Sequence, residues 1–128
     1  MWQFSQLLWV ALGGALGACG RFMVSAWMNN RIESSFPWGT FTVNVLGSTL
    51  FGILFVVIFS LTNLKEPLRL MILVGFMGAF TTFSTFSFES IRLVEEGQWL
   101  MAGTNVVGNA LCCLLGVWAG MGVTRMLM

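Results

Sequence analysis

Four apolar stretches, each close to the ~20 residues that a helix needs to cross a bilayer, constrain this chain more than any motif in it. They run from about Leu7 to Met28, Thr40 to Leu61, Leu68 to Val94 and Trp99 to Met126, with short polar connections between them. Of 128 residues, 57% are hydrophobic and 9% charged, with a mean hydropathy of +0.86. A soluble domain of this size leaves too much of its surface in water to hide that much apolar side chain. The expectation is an all-α membrane protein, a single four-helix transmembrane domain over residues 1–128 with no linker and no second domain.

Several functions drop out early. A net charge of +1 without a basic run gives no hold on nucleic acid. The absence of histidine removes the commonest general base, metal ligand and pH switch, and no convergent acid pair takes its place, so an enzyme is not expected. Cys19, Cys112 and Cys113 all lie in apolar stretches, at spacings that suit neither a zinc site nor a disulfide framework. They read as small hydrophobes in helix interiors. Leu16-Gly17-Ala18-Cys19 resembles a lipoprotein cleavage box, but MWQFSQ ahead of it carries no lysine or arginine, so the segment reads as the first true span.

The connections carry ordinary boundary signals. In NNRIESSFP, Pro37 and Trp38 suit an interfacial start to the second span. In TNLKEP, Glu66 and Pro67 read as N-cap and first helical position, and EEGQ separates the third span from the fourth. An even number of spans puts both termini on one side. Lys65, Arg69 and Arg125 then face Arg31 and Arg92 across the membrane, three against two, which orients the chain only weakly. Such a chain can insert both ways and pair antiparallel with itself. Size points the same way, because four packed helices leave no open channel among them, whereas two bundles can enclose one. Gly13 and Gly17, Ser48 and Gly52, and Gly116 and Gly120 have the small-xxx-small spacing of close helix crossings, within one subunit or between two.

The informative residues are those that lipid tolerates poorly. Arg21 lies deep in the first span, to be stabilised by snorkelling or by pairing with Glu33 or Glu89; a structural or vestibule role fits it better than binding. Asn44 lies in the second span, and Asn105 and Asn109 stand one turn apart on the fourth, sharing a face. A lone asparagine is most simply helix-to-helix glue, but three beside the hydroxyl run of the third span form a polar path. In that run, Thr81, Thr82, Ser84, Thr85 and Ser87 follow Gly75 and Gly78, with Phe80, Phe83, Phe86 and Phe88 interleaved. Phe80 and Phe83 stand three apart, as do Thr81 and Ser84, so each pair projects along one helix face. Any one hydroxyl can bond back to its own helix. So many after two glycines predict a helix broken near its middle, which is tolerated at this depth only inside protein or beside a watery cavity. Freed carbonyls there suit a cation. Hydroxyls and amides can meet an anion through hydrogen or a cation through oxygen, and a ring meets an anion by its edge or a cation by its face. The lack of a mid-span carboxylate, Glu89 being the nearest, argues against a cation pathway.

GGALGACGRF (13–22), GTFTVNVLGS (39–48) and GFMGAFTTFSTFSFE (75–89) resemble, in order, the signatures of the Fluc/CrcB fluoride channels. The resemblance covers the whole chain, and TTFSTF with Gly75 and Gly78 is its most specific part. It implies a dual-topology, antiparallel homodimer in the bacterial inner membrane that passively lets fluoride leave the cell and so lowers fluoride toxicity. Two pores would run along the dimer interface, with a structural sodium ion at its centre held by carbonyls of Gly75 and Gly78. By similarity, ring edges of Phe80 and Phe83 would face fluoride, Asn44 would donate from the second span, and Thr81, Thr82, Ser84 and Thr85 would supply the hydroxyl-rich segment. Asn105 and Asn109 fall where the family often has a serine-based track, and Glu89 and Arg21 match positions of less settled role. Two rivals explain less. A small dual-topology multidrug exporter needs a membrane-buried acid, and the first span has none. A non-transporting assembly protein leaves the hydroxyl and phenylalanine run without a purpose.

Overall fold

The computed structural model describes residues 4–61 and 66–128. The turn expected at residues 62–65, with Lys65, lies outside them. Among the described residues, four helical passes are long and apolar enough to cross a membrane. They are α1 (Phe4–Arg31), α2 (Trp38–Ser60), a composite third span from Glu66 to Glu95, and α6 (Trp99–Leu127). Each observed boundary falls within a few residues of the hydropathic one. Apolar side chains on the outer faces, such as Leu8, Phe22, Leu114 and Trp118, are exposed on the isolated chain, as hydrocarbon-facing residues should be.

The third span is not one helix. It opens with α3 (Glu66–Arg69), continues as a π-helical stretch over Leu70–Met77, and returns to α-geometry in the short α4 (Gly78–Phe80). Thr81 and Thr82 are extended (φ −82°, ψ 162° and φ −150°, ψ 122°), and α5 (Phe83–Glu95) follows. The expected break is therefore present, at the two β-branched residues of the hydroxyl run. The wide π-turn ahead of it is additional and lies where α1 crosses.

That crossing gives the glycine spacing its meaning. A Cβ on Gly13 would strike the Met71 carbonyl, and one on Gly17 the Phe76 carbonyl, so the backbones of the first and third spans touch. Gly52 is closed in the same way by the Val117 carbonyl, at 2.5 Å from an added Cβ, and Gly120 by the Thr49 carbonyl, also at 2.5 Å. All of these contacts lie within one subunit. The bundle is thus two close pairs, α1 with the third span and α2 with α6, joined by a small core of Val43, Met77 and Phe80.

The EEGQ turn is a glycine-ended helix cap. Gly97, at φ 75°, takes the left-handed conformation; its N–H donates to Val94 O (3.0 Å) and the Gln98 N–H to Leu93 O (2.8 Å). This satisfies the last carbonyls of α5 and turns the chain directly into α6.

Candidate functional site

The break is held open by one side chain. Asn44, buried on α2, presents its amide to the backbone of Thr82 as a second peptide group would. Its Nδ2 donates to Thr82 O (3.0 Å), and the Thr82 N–H donates to Asn44 Oδ1 (2.8 Å). In a continuous helix that N–H would bond to the carbonyl of Gly78, so Asn44 takes the donor and leaves the carbonyl without it. Thr82 then caps α5 through its hydroxyl, which accepts from the Thr85 N–H (3.3 Å) and donates to Thr85 Oγ1 (3.0 Å).

Beside the break lies a cavity of about 290 Å3. Asn44 and Ser48 line it from α2, Thr81, Thr82, Phe83 and Phe86 from the third span, and Asn109, Ala110 and Cys113 from α6. No charged side chain among the described residues lines it, so an ion inside meets dipoles and aromatic rings and is not trapped by a full counter-charge.

The expected polar residues sort into distinct positions. Asn44 and Asn109 reach the cavity wall, but their amide hydrogens are engaged within the chain. The second hydrogen of Asn44 goes to Asn109 Oδ1 (3.2 Å), and Asn109 Nδ2 donates to both Oδ1 (2.8 Å) and the carbonyl (3.1 Å) of Asn105. Asn105 is fully buried and stands behind the wall. Phe80 and Phe83 do not share a helix face, as the unbroken spacing predicted. The break assigns them to different helices, Phe80 packed in the core (5% exposed) and Phe83 open (78%). Thr81 and Ser84 are separated in the same way. Thr81 donates back to Met77 O (3.3 Å), while Ser84 and Thr85 are exposed on α5.

Arg21 is half-buried on α1 and, among the described residues, forms no ion pair with Glu33 or Glu89. Glu89 instead accepts from the Thr40 hydroxyl (3.0 Å) through Oε1, and its buried Oε2 has no partner among the described residues. Gly75 is buried against α1, whereas Gly78 is exposed, and a Cβ there would meet nothing within 4 Å. A carbonyl released from its helical donor, on an open face at mid-span, is the kind of oxygen that a hard cation takes. The Gly78 carbonyl is thus an oxygen of the type that fits a sodium ion.

Sequence reasoning missed Thr40, Ser48, Ser90 and Cys113. Thr40 and Ser48 stand one turn on either side of Asn44, and that i±4 spacing was a usable signal. Ser48 is the more consequential, since its hydroxyl faces the cavity and has no partner among the described residues. Ser90 and Cys113 carried no comparable mark.

Four spans, three of which line an uncharged cavity at a broken helix, define a small multi-pass membrane protein with a pore-like site. Residues 8–121 match the family described as CrcB-like protein, Camphor Resistance (CrcB). The chain is 43% identical over 122 residues to the fluoride-specific ion channel FluC of Magnetococcus marinus, spanning 95% of this chain and 99% of that protein. It is 44% identical over 122 residues to the fluoride-specific ion channel FluC of Hahella chejuensis (95% and 96% covered). It is 47% identical over 116 residues to that of Shewanella sp. strain ANA-3 (91% and 93%). The chain belongs to the CrcB family.

Proposed function

We propose that this protein is a passive, fluoride-selective channel of the bacterial inner membrane, which lets fluoride trapped in the cytoplasm leave. The observation that carries the reading is the uncharged cavity at the Asn44–Thr82 break, in a chain whose close relatives are named fluoride-specific ion channels. Fluoride enters a cell as the neutral weak acid and is held there as the anion. Removing its water is costly, so hydroxyl donors and ring edges must replace the shell at each step. Ser48 has a hydroxyl with no partner among the described residues, and Thr85, which accepts from Thr82, keeps its own hydroxyl hydrogen for this at the mouth of the break. Phe83 presents a ring on the open side. By the resemblance Phe80 is a second pore ring; in the isolated subunit it is packed in the core with Val43 and Met77. Asn44 and Asn109 shape the cavity, and weak dipolar binding without a fixed charge lets the ion leave again.

The working unit in this proposal is an antiparallel homodimer with sodium at its centre. The exposed hydroxyls of Ser84 and Thr85 and the released Gly78 carbonyl, all at bilayer depth, support it, because such groups need protein, water or an ion against them. The near-even distribution of lysine and arginine supports insertion in both orientations.

The test is ion efflux from liposomes holding the purified protein, followed with fluoride and chloride electrodes, with valinomycin and internal potassium keeping the membrane potential from stopping flow. Rapid fluoride release with silent chloride is expected. Silence for both, from folded protein, overturns the channel reading and favours an assembly role.

A further inference from the structure

Ser90 lies a full helix turn beyond the cavity, on the buried side of α5, and is not among the residues that line it. Its hydroxyl donates to Phe86 O (2.8 Å), which leaves only lone pairs facing α6. A group meeting those lone pairs must be a donor, and the one that does is Asn105 Nδ2 (2.9 Å). That choice points Asn105 Oδ1 toward the next turn of α6, where it accepts from Asn109 Nδ2 (2.8 Å). Asn109 Oδ1 is then the atom that faces α2, and it requires a donor, which Asn44 Nδ2 supplies (3.2 Å). Asn44 Oδ1 is left to receive the Thr82 N–H (2.8 Å).

Resting on the channel reading, we propose that Ser90 and Asn105 are positioning residues for conduction: through Asn109 they brace the Asn44 amide in the orientation that pairs both its ends with Thr82, and so hold the break in its open form. An asparagine amide is nearly symmetric in shape, so packing alone does not choose between its two ends. Hydrogen-bond polarity does, and it is imposed from both ends: the Thr82 carbonyl and N–H demand Nδ2 and Oδ1 of Asn44, and the Phe86 carbonyl at the other end can only accept. The chain also returns to the element it began on. It leaves α5 at Ser90 and rejoins the third span at Thr82, the residue that caps α5. Phe83 and Phe86, the two rings at the cavity, sit between these anchor points. Ser90 and Leu93 are the buried residues of α5, so the helix has little apolar grip of its own and depends on the polar one.

The experiment uses the full-length protein in two settings: liposomes read with a fluoride electrode, and micelles read by the side-chain amide resonances of 15N-labelled asparagine. Ser90→Ala and Asn105→Ala are each expected to slow fluoride efflux by about fivefold, the factor that one buried hydrogen bond is worth. The double variant should be no slower than either single one, because both cut the same chain. Ser90→Thr, which restores the hydroxyl, should restore flux. In Ser90→Ala the amide signals of Asn109 and Asn44 should shift although neither touches Ser90. Full flux in folded Ser90→Ala, additive losses in the double variant, or unmoved Asn44 signals would overturn the proposal. A wild-type protein silent to fluoride would instead remove the channel reading, and the relay then stands or falls on the amide spectra.

Discussion

Replacing Asn44 by alanine removes, in one step, its donations to Thr82 O and Asn109 Oδ1 and its acceptance from the Thr82 N–H. Polar contacts between membrane helices average about 0.6 kcal/mol each, because the unfolded chain in lipid also finds partners, which puts the floor near 2 kcal/mol. A buried backbone group left bare costs about 1–3 kcal/mol, and Thr82 has two, at 8% exposure. The expected loss is about 2–6 kcal/mol, read as a shift in unfolding by SDS in mixed micelles. Part of it is recoverable if the Thr82 N–H returns to the Gly78 carbonyl, but that straightens the third span and closes the cavity, so fluoride efflux should fail either way. Asn44→Asp is the discriminating partner: it keeps the acceptor for the Thr82 N–H and loses both donors. A loss below about 0.5 kcal/mol with normal efflux in Asn44→Ala would show that this amide does not hold the break, since surface-like changes fall in that range.

Phe83→Ile should abolish fluoride efflux with stability unchanged, because that ring is open, whereas Phe80→Ile should lose efflux and also about 1–2 kcal/mol of stability from the core it shares with Val43 and Met77. Normal flux in either folded variant refutes its pore assignment. Gly17→Val should destabilise the subunit by about 1–3 kcal/mol, measured by the same SDS titration, because its side chain has only the Phe76 backbone to move against. Ser48→Ala should slow efflux several-fold without changing the unfolding midpoint, since its hydroxyl supports no internal bond. Exchanging sodium for a large organic cation throughout preparation should weaken the dimer, seen in cross-linking yield; an unchanged yield refutes a structural ion at the Gly78 carbonyl.

The spans were legible in the sequence because a bilayer demands a fixed length of apolar residues, whatever they pack against. The break was legible too, for a local reason: two adjacent threonines after spaced glycines disfavour helix and can cap a new one. Asn105 and Asn109 were rightly placed on one face, since that follows from helical period alone. Reading the same period through residues 80–84 failed, because a period holds only while the helix does.

Tertiary structure decided which groups meet. Asn44 and Thr82 are 38 residues apart and Asn44 and Asn109 are 65 apart, and no local pattern says that these amides engage one another. Nor does Ser90 differ in sequence from any hydroxyl that bonds back to its own helix; only the approach of α6 gives its lone pairs a partner. The glycine spacings named surfaces of close approach without naming what approached, and the crossing of α1 over the π-turn settled that for Gly13 and Gly17. The sequence thus determined how many helices cross the membrane, where one of them breaks, and which polar atoms need partners. The fold determined the partners, because satisfying a buried donor depends on the direction of an atom on another helix, and direction is a property of packing.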